Sequence, residues 1–286
     1  ALPLQIEEPD GRTVALTLFG ATGHTDRVAK GAGSRVVQDV DWMQLPGDRY
    51  RLEIGLAEPV WGHRVRYEPL PGDRAELVLE IRRMPPIDPV NPLAGRRVAI
   101  DPGHPGAGAT GPTGFYEGHA NLAIALVLER LLQEAGAEPI LIRRDTLQMG
   151  LYERTTAAIE QNAELYVSIH NNALPDGVQP IGREGTSTYY YHPHSRALAE
   201  AVQDGMLSTM RLRDLGVYWG NLAVCRLAWM PSVLTEGAFM MIPSHEAALQ
   251  DPGFQELHAR GILQGIQRFL FEAARHMTAT GAGTGP

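Results

Sequence analysis

The chain has 286 residues, of which 44% are hydrophobic, so it holds enough apolar material for one large core or two smaller ones. Its net charge of -8 speaks against a general nucleic-acid binder or a polybasic surface anchor, and no apolar run approaches the roughly 20 residues of a membrane span. A single cysteine, Cys225, excludes an internal disulfide and, with its apolar flanks, reads as a small core residue. Lys30 is the only lysine among 25 basic residues, a bias that fits a GC-rich genome. A chain that begins at Ala1 rather than Met is expected to be a processed or trimmed product, with no signal peptide in view.

In chain order, residues 13–20, 49–56, 63–70 and 75–83 alternate apolar and polar with period two and read as strands. Turn signals separate them, including "LPGDR" twice. Residues 1–83 are therefore expected to form a small all-β domain. "MPPIDPVNPL" (84–93) carries four prolines and reads as an extended linker, taken to end at residue 95.

The pattern then changes. "RRVAI" is a strand; 121–136 has helical spacing and stops at Gly136; "EPILIRR" is a strand; 151–163 is a helix. Residues 164–170 and 185–191 are strands, 194–210 a helix, 231–237 a strand and 256–277 a closing helix. This alternation predicts an α/β catalytic domain over 96–276, with a mostly parallel twisted sheet flanked by helices and a flexible tail at 277–286.

The polar residues fall into a pattern on that scheme. "VAIDPGHPG" (98–106) is a buried strand that breaks at once into a Gly/Pro turn carrying His104. His170 ends the strand "LYVSI", Glu236 ends "PSVLT", and Glu117 is placed on the loop leaving His104, before a helix. The carboxyl ends of strands in an open parallel sheet share one edge, where ligands bind. Two histidines and a carboxylate meeting there suit zinc with one open position, and Glu236 would take a proton from water. Each residue also has a plain structural use, such as a turn, a core histidine or a helix-terminal carboxylate. The remaining histidines lack such support: His192 and His194 sit in a turn, His119 at a helix start, and His24, His63, His245, His258 and His276 read as solvated. Tyr189, Tyr190 and Tyr191 read as strand residues rather than a binding platform, and Arg226 as a substrate or structural group.

The segment from about 96 to 272 resembles the zinc-dependent N-acetylmuramoyl-L-alanine amidases of the type-3 amidase family. The resemblance rests on "VAIDPGHPG", "GPTGFYEGHANLAIALVLERLLQEAGAEPILIRR", "YERTTAAIEQNAELYVSIHNNA" and "AWMPSVLTEGAFM" in that order. It implies a six-stranded sheet, one zinc per chain on His104, Glu117 and His170, and Glu236 as catalytic carboxylate. It also implies peptidoglycan as substrate, cut between N-acetylmuramic acid and L-alanine, and an exported protein of the bacterial cell envelope. Asn171 or a backbone N–H is expected to help hold the oxyanion, with Arg226 as a further substrate contact. Departures from the family pattern are Gly118-His119 after the ligand glutamate, Asn171 where alanine is usual, and "TEGAF" where "VEIGF" is usual. No extra helix is expected between His170 and Glu236, so the site should be open. The first domain matches the β-rich targeting domains of such enzymes in general pattern only, and would engage an envelope component or an activator. A zinc exopeptidase of other specificity and an inert cell-wall-binding module are the alternatives.

Overall fold

A computed structural model describes residues 1–23, 34–105, 108–175, 177–180 and 182–281, with side chains to Arg275. His24, the side chain of His276 and the tail 282–286 lie outside that description. The chain divides into two compact units, Ala1–Pro85 and Pro86–Pro286. The Pro-rich stretch contains that division, but it is not simply an exposed spacer: Leu93 is buried at 1% exposure.

The first unit is all β. Strands β1 (Leu4–Glu7), β2 (Thr13–Phe19), β3 (Val37–Leu45) and β4 (Arg49–Leu56) form an antiparallel sheet in the order β1-β2-β4-β3. Strands β5 (Gly62–Leu70) and β6 (Arg74–Arg82) form a hairpin. Both LPGDR segments make hairpin turns, with Gly47 and Gly72 at φ 75°, a conformation glycine adopts at no steric cost. Val14, Ile54, Leu56 and Val60 make the core, as the period-two pattern requires. Strand β3 escapes sequence reading because a register shift between Val37 and Asp39 breaks its alternation.

The second unit opens with β7 (Arg97–Pro102), α1 (Glu117–Glu134), β8 (Glu138–Leu141), α2 (Leu151–Glu160), β9 (Leu165–Asn172) and β10 (Thr186–Tyr190). A 3₁₀ turn at Pro193–Ser195 leads to α3 (Arg196–Met210), then β11 (Asp214–Trp219), β12 (Ser232–Phe239), α4 (Pro243–Gln250) and α5 (Pro252–Gly281). The sheet order is β11-β10-β12-β9-β7-β8. All neighbours are parallel except β10 and β12. Its central strands are buried on both faces and so read as near-continuous apolar runs. Helices α1, α3 and α5 cover one face. On the other face Ala158 of α2 and Val224, Cys225, Leu227 and Met230 of the loop before β12 pack on Ala99, Tyr166 and Leu234. Among the described residues no helix is long and apolar enough to cross a membrane.

Several expectations change. Helix α1 begins at Glu117, a turn earlier than expected, because Gly118 and His119 hid a first turn that Glu117 supports through the helix dipole. Strand β8 stops at Leu141, since the Arg143 side chain leaves to bond elsewhere. Helix α5 continues to Gly281 instead of giving way to a tail at 277, as no proline interrupts that stretch. Strand β11 went unread because Gly216, at φ 100°, interrupts its pattern. His63 is not solvated but buried, its Nε2 3.0 Å from Glu8 Oε1. His258 is fully buried under Gly237. Among the described residues, α3 is the only α-helix between His170 and Glu236, in agreement with the expected layout.

Candidate metal centre

Parallel pairing of β7, β9 and β12 brings their carboxyl ends to one edge. Pro102 pairs with Ile169, and Glu236 lies directly beside His170. His104 follows two residues past β7, in the left-handed region at φ 48°. That conformation costs a non-glycine residue of order 1–3 kcal/mol and persists only where surroundings impose it. Here they do. Arg143 is buried and donates from Nε and Nη2 to Pro102 O (3.0 and 2.6 Å) and from Nη2 to Gly103 O (2.8 Å). Asn121 Nδ2 donates to the same Gly103 O at 3.1 Å.

Glu117 is the first residue of α1 and is 3% exposed. The backbone N–H of Ala109 and Asn171 and the Asn121 amide donate to its two oxygens at 3.1, 3.2 and 3.1 Å, which fixes the carboxylate. Glu117 Oε2 lies 3.7 Å from His104 Nε2, and Oε1 lies 3.3 Å from His170 Nδ1. The two imidazoles meet edge to face with centroids 4.8 Å apart. Ligand bonds of about 2.0–2.1 Å in a tetrahedron place donor atoms about 3.3 Å from one another. One donor atom from each of the three residues lies within 4.8 Å of the others, so two nitrogens and a carboxylate oxygen fit a zinc-type ion. His104 is the exposed member, its side chain 47% open.

The electrostatics separate the two glutamates. Burial pushes the Glu117 carboxyl up, but the His170 hydrogen bond and the charges of His170 and His104 outweigh it and hold it at about 2. Burial pushes Glu236 up to about 7; His170 opposes this and the Glu117 charge adds to it. Glu236 Oε2 is buried without a hydrogen-bond partner among the described residues.

The loop from His104 to Glu117 is anchored from outside the cluster. Glu246 on α4 is 1% exposed and accepts Thr113 N at 3.0 and 3.1 Å and Thr113 Oγ1 at 2.8 Å.

Residues 98–268 match the family model described as N-acetylmuramoyl-L-alanine amidase. The chain belongs to that family of amide-bond hydrolases.

This amidase is 36% identical over 184 residues to the protein YqiI of Bacillus subtilis, covering 62% of this chain and 86% of that one. It is 35% identical over 178 residues to the N-acetylmuramoyl-L-alanine amidase LytC of the same organism, covering 61% of this chain but 36% of LytC. Among solved structures, the catalytic domain of the amidase CwlV from Bacillus (Paenibacillus) polymyxa matches with TM-score 0.57 and 35% identity, over 61% of this chain and 98% of that one. An amidase from Clostridium difficile 630 matches with TM-score 0.58 and 33% identity, over 62% and 97%. Each match covers about the length of the α/β unit.

Within the amidase unit the structure brings together His104, Glu117, His170 and Glu236. Two further candidate residues are engaged by neighbouring groups. Asn171 is 2% exposed and its side chain is already engaged: Nδ2 donates to Asn121 Oδ1 at 2.9 Å, and Oδ1 accepts Ala238 N at 3.0 Å. Strand alternation turns it away from His170, so only its backbone N–H serves the cluster. Arg226 lies on the loop between β11 and β12, with Nη2 bonded to Tyr152 Oη and Nη1 to Asn221 Oδ1, each at 3.0 Å. Sequence reading missed Arg143, Asn121 and Glu246. Only Asn121 carried a signal, standing four residues from Glu117 on the same helix face.

Proposed function

We propose that this amidase uses zinc, held by His104, Glu117 and His170, to hydrolyse the amide joining the lactyl group of N-acetylmuramic acid to L-alanine in peptidoglycan. The observation that carries the reading is Glu236: a half-buried carboxylate raised towards neutrality, one strand away from His170, with one oxygen buried and unpartnered among the described residues.

When bound, zinc supplies Lewis acidity to the scissile carbonyl and acidifies water. Glu236 does the proton work. Its carboxylate takes a proton from water as the water oxygen bonds to the carbonyl carbon. As the C–N bond breaks, Glu236 returns that proton to the departing alanine nitrogen. A group titrating near 7 is suited to both halves of that exchange. The backbone ties at Pro102, Gly103 and Asn171 keep the cluster in place, with little reorganisation left for the reaction.

The all-β unit Ala1–Pro85 is read as an envelope-targeting module that would hold the protein at the cell envelope. Paired variants test the chemistry. Glu236→Gln should keep zinc while turnover of purified muropeptides falls roughly 100- to 10,000-fold. Glu117→Ala should lose zinc and activity together, by at least about the 10–100-fold that weaker outer contacts cost. Mass spectrometry of the digest identifies the bond. Free stem peptides starting at L-alanine support the reading; cleavage within the peptide, or zinc lost from Glu236→Gln and kept by Glu117→Ala, overturns it.

A further inference from the structure

Behind His170, on the side away from Glu117, lies a chain of buried polar groups that the mechanism does not use. Ser168 and His170 are two residues apart on β9 and point to the same face. His170 Nε2 is 3.2 Å from Ser168 Oγ. Ser168 Oγ in turn donates to Asp101 Oδ2 at 2.7 Å, and Asp101 pairs across the sheet with Ser168. The Arg154 guanidinium of α2 faces the other Asp101 oxygen at 3.5 Å. Ser168 and Asp101 are both at 0% exposure and Arg154 at 4%, so water does not compete for these bonds.

The direction of the chain follows from its chemistry. An Asp101 carboxylate facing a guanidinium only accepts, so the Ser168 hydroxyl proton goes to Asp101. The Ser168 oxygen is then left with lone pairs, and the neighbouring His170 Nε2 must carry the proton between them. Nε2 thus keeps its proton, and Nδ1, the atom that hydrogen-bonds Glu117 here, is the nitrogen left to give up its proton and turn a lone pair to a metal. Gly103 closes the pocket: a Cβ there would come 2.3–2.6 Å from the His170 ring atoms, so the ring packs directly against the Gly103 backbone.

We infer that Ser168 and Asp101, charge-balanced by Arg154, are positioning residues that fix the His170 tautomer and present its Nδ1 to the metal. The inference rests on the reading of His170 as a ligand and goes beyond it by naming the ligating nitrogen and what selects it. An outer partner that holds a ligand imidazole is worth 10–100-fold in metal affinity.

The test compares zinc affinity, by competition with a chromophoric chelator, in the full chain and in Ser168→Ala, Asp101→Asn, the double variant and His170→Ala. In parallel, nitrogen-15 NMR of the zinc-loaded protein reads which His170 nitrogen bears the proton. Each single variant should lose 10–100-fold in affinity, with the double no worse than about the weaker single, because both act through one ring. The unaltered protein should show a protonated, exchange-protected Nε2, and Ser168→Ala at saturating zinc should lose that protection. A protonated Nδ1 in the unaltered protein overturns the inference even if a variant fails to fold. So do single variants that bind zinc like the parent while His170→Ala does not, and that outcome leaves the ligand reading standing. A His170→Ala chain that binds zinc like the parent removes both.

Discussion

His258 offers a pH-dependent test that is independent of the metal. It lies on α5 at 0% exposure, with neither ring nitrogen hydrogen-bonded among the described residues. Its ring packs under β12 so closely that a Cβ on Gly237 would meet its Cε1 at 2.1 Å. Burial lowers its pKa from 6.5 to about 4, because the charged ring finds no partner there. Protonation is therefore easier in the unfolded chain. Above pH 6.5 the ring is neutral in both states and stability is unaffected. As pH falls from 6.5 to about 4 the unfolded chain takes up the proton first, and stability drops. The gap of roughly 2.5 pH units at 1.36 kcal/mol each makes the loss about 3 kcal/mol, complete near pH 4. Urea unfolding of the full chain and of His258→Leu at pH 7.5, 6, 5 and 4 isolates this contribution, since other titrating groups are shared. The difference between the two should move by about 3 kcal/mol in favour of the variant as pH falls. Parallel stability curves would refute the reasoning, and a difference that grows above pH 7 would reverse its sign.

Gly103→Ala should cost zinc affinity at least about 10-fold, because the added carbon sits 2.3 Å from His170 Cε1 where an ordinary contact needs 3.4 Å; chelator competition measures it. Glu246→Gln weakens the tie to Thr113 and should lower stability by roughly 1–3 kcal/mol, or about 2–4 °C in Tm per kcal/mol, read by calorimetry. A chain beginning at Pro86 should keep its zinc and cleave soluble muropeptides at the parent rate while binding intact sacculi less, as sedimentation with sacculi would show. Loss of soluble turnover in that chain would assign residues 1–85 a catalytic part.

What the sequence discloses depends on where the determining contacts lie. His104, Glu117, His170 and Glu236 were legible because each stands near a strand end or helix start, and strand ends in a parallel sheet converge by topology. The α/β alternation was legible from apolar periods alone. Glu246 was not, since nothing local links an acid on a short helix near the C-terminus to Thr113. Arg143 looked like the continuation of a strand, and only the folded chain shows it turning back onto Pro102 and Gly103. Asn171 illustrates the opposite error: next to His170 in sequence, its side chain faces away in space. The buried His63 and His258 read as surface groups in the sequence because a lone histidine carries no pattern of its own.

The strand order has a consequence in time as well as in space. β12 is the last strand in the chain, yet it lies between β9 and β10 near the middle of the sheet. It brings Glu236. In a growing chain His104, Glu117 and His170 are all made before the strand that carries the proposed base. Pairings this distant in sequence form late. On the proposed mechanism, the carboxylate that would act as base joins the cluster only once the last strand in the chain has inserted between β9 and β10.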